Sequence, residues 1–224
     1  DGVGQDRSII QVIRLADASN PEDVCEQVAE FASPFVNSRD LWPICACLGE
    51  WYTTPMKGRM EQIRQVIECN GNGETVQYEL QKRGWWNFHP WEHYDNKKAT
   101  RYNKIGWFTN FRTRQIAVDT LVSSLRDQWF IPRSPWFVDE MTSFERNEAR
   151  QSLRAASGKH DDRLMAAAIG LASNYIHEIT TDGRTFFAGR RKRKAQAEIT
   201  GVRPEDMTAD LLKDMVRPLN PYES

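Results

Sequence analysis

The stretch Gly158-Lys-His-Asp-Asp-Arg-Leu-Met-Ala-Ala-Ala-Ile-Gly-Leu-Ala172 carries the clearest structural instruction in the chain. Ser157-Gly-Lys-His160 is turn chemistry and Asp161-Asp162 is suited to start a helix. Leu164, Ala168, Leu171, Ala172 and Tyr175 then recur at i, i+4, i+7, i+8 and i+11. That spacing puts them on one stripe, so the segment is predicted to be a helix opened by aspartate and buried along one face. Upstream, residues 114–128 read as a second amphipathic helix on Ile116, Val118, Leu121, Val122 and Leu125. Residues 8–15 are rich in β-branched side chains and predict a strand. Val24, Val28 and Phe31, at spacings of four and three, predict a helix over 21–31, whereas the alternation of Trp42, Ile44, Ala46 and Leu48 predicts a strand over 41–48. Residues 56–65 read as a short helix and 66–69 as a brief extended run stopped by Asn70-Gly71-Asn72-Gly73. Residues 74–82 have helical composition ending at Gly84, and 85–111 form an aromatic-rich loop. Strands alternating with helices predict an α/β fold with a mixed sheet.

A chain of 224 residues with 40% hydrophobic and 27% charged content excludes disorder, collagen and coiled coil. At this length roughly 70% of the unfolded surface is buried on folding, so the core needs no disulfide or metal staple. Cys25, Cys45, Cys47 and Cys69 form no C-x-x-C pair and read as reduced core thiols. No apolar run is long enough to cross a membrane and the start carries no signal peptide, so a cytoplasmic protein is expected. The net charge of -1 leaves nucleic-acid binding open, because positive charge gathered on one face suffices. The division expected is a domain over 1–178 and an appendage over 179–224, the latter holding Arg190-Arg-Lys-Arg-Lys194 and a candidate helix at 207–216.

Several acids sit where an element begins or ends. Asp1 and Asp6 flank a glycine turn, Glu68 ends a short strand, and Asp161 with Asp162 opens a helix. Carboxylates without matching histidines or thiolates are hard oxygen ligands that suit Mg²⁺ or Mn²⁺. Two such ions about 4 Å apart can activate water and stabilise the leaving oxygen in phosphodiester cleavage. The alternative is that each acid caps a helix or faces water. Between Asp95 and Asp119 stand Lys97, Lys98, Arg101, Lys104, Arg112 and Arg114 with no acid among them. They suit phosphate neutralisation or, equally, a solvated face. Trp107 reads as core, while Trp85, Trp86, Phe88 and Trp91 suit a packed cluster or a partner surface. His160 could orient a carboxylate or water or act as acid or base. His89 and His93 are discounted as metal ligands because Pro90 breaks any helix that would align them.

Four motifs resemble, in order, the nuclease domain of tailed-phage terminase large subunits. They are Gly2-x-Gly-Gln-Asp-Arg-Ser8, Ile67-Glu-Cys-Asn-Gly-Asn-Gly73, Lys104-Ile-Gly-Trp107 with Thr113-Arg114, and Gly158-Lys-His-Asp-Asp-Arg-Leu-Met-Ala166. The resemblance covers residues 1–177. It implies a ribonuclease H-like fold, a mixed central sheet flanked by helices, with acids binding two Mg²⁺ or Mn²⁺ ions. It also implies endonucleolytic cutting of concatemeric double-stranded DNA during viral genome packaging, with little base specificity. By resemblance Glu68, Asp161 and Asp162 are metal ligands, Asp6 lies near the metals, and His160 belongs to the motif without being a ligand. The implied partners are a portal protein, a small terminase subunit and an N-terminal ATPase domain, and the implied place is the host cytoplasm at the procapsid portal. Two departures stand out. The first metal-bridging aspartate would fall three residues before Asp1, and no G-x-x-x-x-G-K-[ST] occurs. The chain is therefore expected to be a fragment that lacks its first strand and is inactive alone, with a parent polypeptide continuing upstream. The alternatives are a Holliday-junction resolvase or other ribonuclease H-like nuclease, and a non-catalytic docking module for the packaging motor.

Overall fold

A computed structural model describes residues 7–17, 19, 20, 22–56, 59–95, 100–147, 152–156 and 158–181. Asp1, Asp6, Lys97, Lys98 and the appendage from 182 onward lie outside the described residues. The described part begins with β1 (Ser8–Arg14), β2 (Cys25–Ser33), a 3-10 turn (Ser38–Asp40) and α1 (Trp42–Trp51). Next come β3 (Thr54–Met56), β4 (Arg59–Glu61), α2 (Gly73–Lys82), β5 (Pro90–Asp95), β6 (Thr100–Ile105) and α3 (Phe111–Arg126). The described part closes with β7 (Phe130–Ile131), α4 (Pro135–Thr142), β8 (Phe144–Asn147), β9 (Ser152–Ala155) and α5 (Asp162–Thr181).

The result is a mixed α/β fold. β1 runs antiparallel to β2, and β2 pairs in parallel with β7 through Cys25 and Phe130. β3–β4, β5–β6 and β8–β9 form separate antiparallel pairs. Residues 65–69 run as a strand-like segment parallel to 87–89 and 107, with bridges Gln65 to Phe88 and Glu68 to Trp107. The main core lies between α3 and α5. Ala117, Leu121 and Leu125 join Leu164, Ala167, Ala168, Leu171 and Ala172, and Trp107, Phe130, Phe137 and Met141 complete the cluster. A second core gathers Cys45, Val76, Leu80, Trp85 and Phe88 around α1 and α2. Each fully buried Leu contributes about 1.5–3 kcal/mol by leaving water.

The α2, α3 and α5 periodicities and the β1 run correspond to observed elements. Other segments depart from expectation. Residues 25–33, within and beyond the predicted helix at 21–31, are strand β2. The register slips between Val12 and Ile13 of β1, which face Ala29 and Gln27, so Val28 is the extra residue of a β-bulge. The bulge breaks the two-residue period and makes a strand mimic helical spacing. The strand predicted over 41–48 is instead helix α1, residues 42–51. Pro43 stands in its first turn, where no amide donor is needed, and the residues packed inward are Trp42, Cys45, Ala46 and Gly49. The helix predicted at 56–65 is instead the β3–β4 pair followed by irregular chain, and the aromatic loop holds the β5–β6 hairpin. Cys25, Cys45 and Cys69 are buried, but Cys47 is exposed. Among the described residues no helix is long and apolar enough to cross a membrane.

Candidate functional site

Of the predicted acids, Glu68 and Asp161 approach the start of α3, while Asp1 and Asp6 lie outside the described residues. Glu68 is exposed and belongs to the strand-like segment that ends at Cys69. Trp107 N donates to Ile67 O and Cys69 N donates to Trp107 O, both at 2.7 Å, so Glu68 is clamped beside Trp107. One residue further on, Asn70 bonds both sides of Thr109: its Oδ1 accepts from Thr109 N at 2.7 Å and its Nδ2 donates to Thr109 O at 2.8 Å. Asn110 then opens α3 with a capping box, its Oδ1 accepting from Thr113 N at 3.0 Å while Thr113 Oγ1 accepts from Asn110 N at 2.7 Å. The loop after Glu68 and the first turn of α3 are thus tied directly together.

Asp161 reaches that turn from the other side. Arg114, in the first turn of α3, donates from Nη2 to Asp161 Oδ2 at 2.6 Å. Both side chains are half-buried. Asp162 Oδ2 stands 3.6 Å from His160 Nδ1. Gly158, at φ +77°, makes the turn that delivers His160 and the acidic pair to the start of α5. Glu68 and Asp161 therefore border the same end of α3, but through different residues. Among the described residues no three His, Cys, Asp or Glu side chains gather tightly enough to hold a metal.

The basic candidates are spread along the same region. Arg112 is exposed and Arg114 half-buried on α3, and Lys104 is exposed with its Nζ 4.9 Å from the Phe108 ring centre. Arg101 lies on β6. Burial pushes the Cys69 thiol up to about 11, helped by the negative charges of Glu74 and Glu68 and opposed by Lys104, which places those three charges around one buried sulfur. Trp107 is fully buried against the rings of His89 and Trp91, with centroids at 6.3 and 5.1 Å. His89 is itself fully buried there, as core. Trp85 and Phe88 are buried and Trp86 is exposed.

One group was not visible in the sequence. Behind the acidic pair, Arg163 is held by two buried glutamates. Its Nε donates to Glu30 Oε1 at 2.9 Å, its Nη1 to Glu140 Oε1 at 2.7 Å, and its backbone N to Glu140 Oε2 at 2.9 Å. Ser134 Oγ donates to Glu30 Oε1 at 2.9 Å, Gln11 Nε2 donates to Oε2 at 2.8 Å, and Arg7 Nη1 lies 3.8 Å from Glu140 Oε1. Burial raises the Glu140 pKa from its ordinary value, and the bonds from Arg163 and from the Leu164 amide oppose the rise. The available signal was Phe137, Glu140 and Met141 at i, i+3 and i+4, an acid on an otherwise apolar face following Ser134-Pro135, which caps and starts α4.

The described residues form a mixed α/β chain in which Glu68, within the strand-like segment 65–69, and Asp161, just before α5, border one end of α3. No protein-family model matches the chain, and no curated protein is similar to it.

Proposed function

We propose that the chain is a metal-dependent DNA endonuclease domain of ribonuclease H-like architecture, of the kind carried by viral packaging terminases. The observation that carries this reading is the convergence on the α3 start: Glu68 through Trp107 and the Asn70–Thr109 bonds, Asp161 through Arg114. The donor set is all carboxylate oxygen, which fits Mg²⁺ or Mn²⁺. Glu68, Asp161 and Asp162 would hold the ions, two of which supply a water-derived nucleophile and charge stabilisation for the departing 3′ oxygen when bound. Arg114 balances Asp161 in the free protein, and together with Arg112 and Lys104 it is placed to meet DNA phosphates. His160, beside Asp162, orients that carboxylate.

The strand geometry also favours this architecture. Gln65, Ile67 and Cys69 direct their backbone groups toward 87–89 and 107, so those of Val66 and Glu68 face the opposite edge. Ile67 and Ile10 of β1 pack against the same core. A strand paired along that edge would join the segment to a mixed central sheet of this kind. Portal, small terminase and ATPase domain are the partners this reading assigns, acting at the procapsid in the host cytoplasm.

The test is plasmid cleavage with Mn²⁺, comparing wild type with Glu68→Ala and Asp161→Ala. Both substitutions should abolish cutting. Unchanged cutting in both variants removes the site. Preference for four-way junctions over linear DNA would favour a resolvase.

A further inference from the structure

An aspartate at the N-cap of a helix ordinarily turns its carboxylate back to accept the N–H of the second or third helical residue. Asp161 holds that place in α5, since its carbonyl accepts from Met165 N at 2.8 Å. Its carboxylate is engaged on Arg114 instead. The amide it would serve, Arg163 N, donates to Glu140 Oε2 of α4 at 2.9 Å. We propose that Glu140 is a positioning residue: by capping α5 from a neighbouring helix it releases the Asp161 carboxylate toward the α3 start, where, on the reading above, it binds a divalent cation.

Glu140 is well placed for this. Its side chain is only 8% exposed, and each oxygen has its own task, Oε2 on the Arg163 amide and Oε1 on the Arg163 guanidinium. The guanidinium is fixed from its far side by Glu30, which also accepts from Ser134 Oγ, the N-cap of α4. α4 and α5 are thereby locked start to end. With the orphan amide at the head of α5 satisfied from outside, the carboxylate of Asp161 is not needed by its own helix.

The test is a thermal double-mutant cycle on the metal-free chain, with Mn²⁺ binding measured by calorimetry on the same proteins. In wild type, Asp161→Ala should shift the unfolding midpoint only slightly, because Asp161 is not the cap. In the Glu140→Ala background Asp161 falls back onto its helix, and the same substitution should cost about 2–4 °C more. Mn²⁺ affinity should fall about tenfold in Glu140→Ala, the scale seen when a residue that orients a metal ligand is lost. It should hold in Leu125→Ala, which weakens the core from the far end of α3. Glu140→Gln keeps an oxygen for the Arg163 amide and should stay within about threefold of wild type, which serves as the test if the alanine variant does not fold. Additive thermal effects, undiminished Mn²⁺ affinity in Glu140→Ala, or a loss in Glu140→Gln as large as in the alanine variant each overturns the role. A wild type that takes up no Mn²⁺ removes the metal reading, and the thermal cycle then decides alone whether Glu140 caps α5 in place of Asp161.

Discussion

Replacing Arg163 by methionine keeps a long, helix-compatible stem and removes the guanidinium set between Glu30 and Glu140. The two carboxylates it leaves are 10% and 8% exposed. Breaking a buried ion pair by deleting one partner costs about 3–5 kcal/mol, because the remaining charge stays out of water without its counterpart. Ser134 Oγ and Gln11 Nε2 still donate to Glu30, and Arg7 remains 3.8 Å from Glu140, so the lower end, about 3 kcal/mol, is expected. In a chain of this size that corresponds to a midpoint lowered by roughly 6–12 °C. The loss should depend on pH in a direction the structure sets. Burial already raises the Glu140 pKa; in the variant the amides of residues 163 and 164 still oppose the rise but the guanidinium no longer does, so the carboxyl moves higher still. A carboxyl whose folded pKa exceeds its unfolded value binds more protons when folded, so stability falls as pH rises between the two values. The deficit should therefore be largest near about pH 8 and shrink toward about pH 5. Urea unfolding of wild type and Arg163→Met at both pH values measures it. A deficit below about 1 kcal/mol, or one that does not change with pH, would refute the view that Arg163 neutralises buried carboxylates.

Three further outcomes follow from other parts of the molecule. Alkylation of the native protein should modify exposed Cys47 first, because burial pushes the Cys45 and Cys69 thiols up to about 12 and about 11; peptide mass spectrometry showing Cys69 modified as quickly would contradict the packing around it. Gly106→Ala forces a side chain onto a residue at φ +95° and against Cys69 Sγ, and should cost about 1–3 kcal/mol. Gly71→Ala, at φ +75° with open space around it, should cost less, and denaturant unfolding of the pair isolates the contact. Arg114→Gln breaks a half-exposed ion pair and should lower stability by less than about 1 kcal/mol, yet reduce the salt dependence of DNA binding by about one unit of slope. An unchanged slope in a filter-binding titration would place Arg114 away from the phosphates.

How much of the fold could be read from the sequence depended on whether an element's burial pattern was its own. In α3 and α5 the apolar stripes face each other across one seam, so their helical period survived intact in the sequence. α2 is likewise anchored by Val76 and Leu80, one turn apart. β2 was misread because its period is interrupted by the bulge at Val28, and because Gln27, only 2% exposed, is a polar residue whose Oε1 accepts from the amides of Arg133 and Ser134. No local pattern announces a buried glutamine that serves a distant loop. α1 was misread for the opposite reason. Its residues are apolar on several faces, so alternation and helical period fit equally well, and only Pro43 at its start distinguished them.

The candidate site shows the same division between what a local pattern can state and what it cannot. Turn and cap chemistry marked Asp161 and Asp162 as the head of a helix, and the helix is there. The inference that an aspartate in that position serves its own helix is the step that fails, because the amide belongs to Glu140, 23 residues earlier in the chain, and the guanidinium behind it to Glu30, a further 110 residues back. Such partners are invisible to any window that reads residues in order. The discrepancy has chemical content. A charged group at a helix start that the helix does not use has kept its carboxylate available at some cost in buried polar structure, since a network of two glutamates and an arginine is a weak source of stability by itself. The arrangement is better explained by what it exposes than by what it stabilises, and what it exposes is the Asp161 carboxylate, held by Arg114 at the helix end that Glu68 also borders.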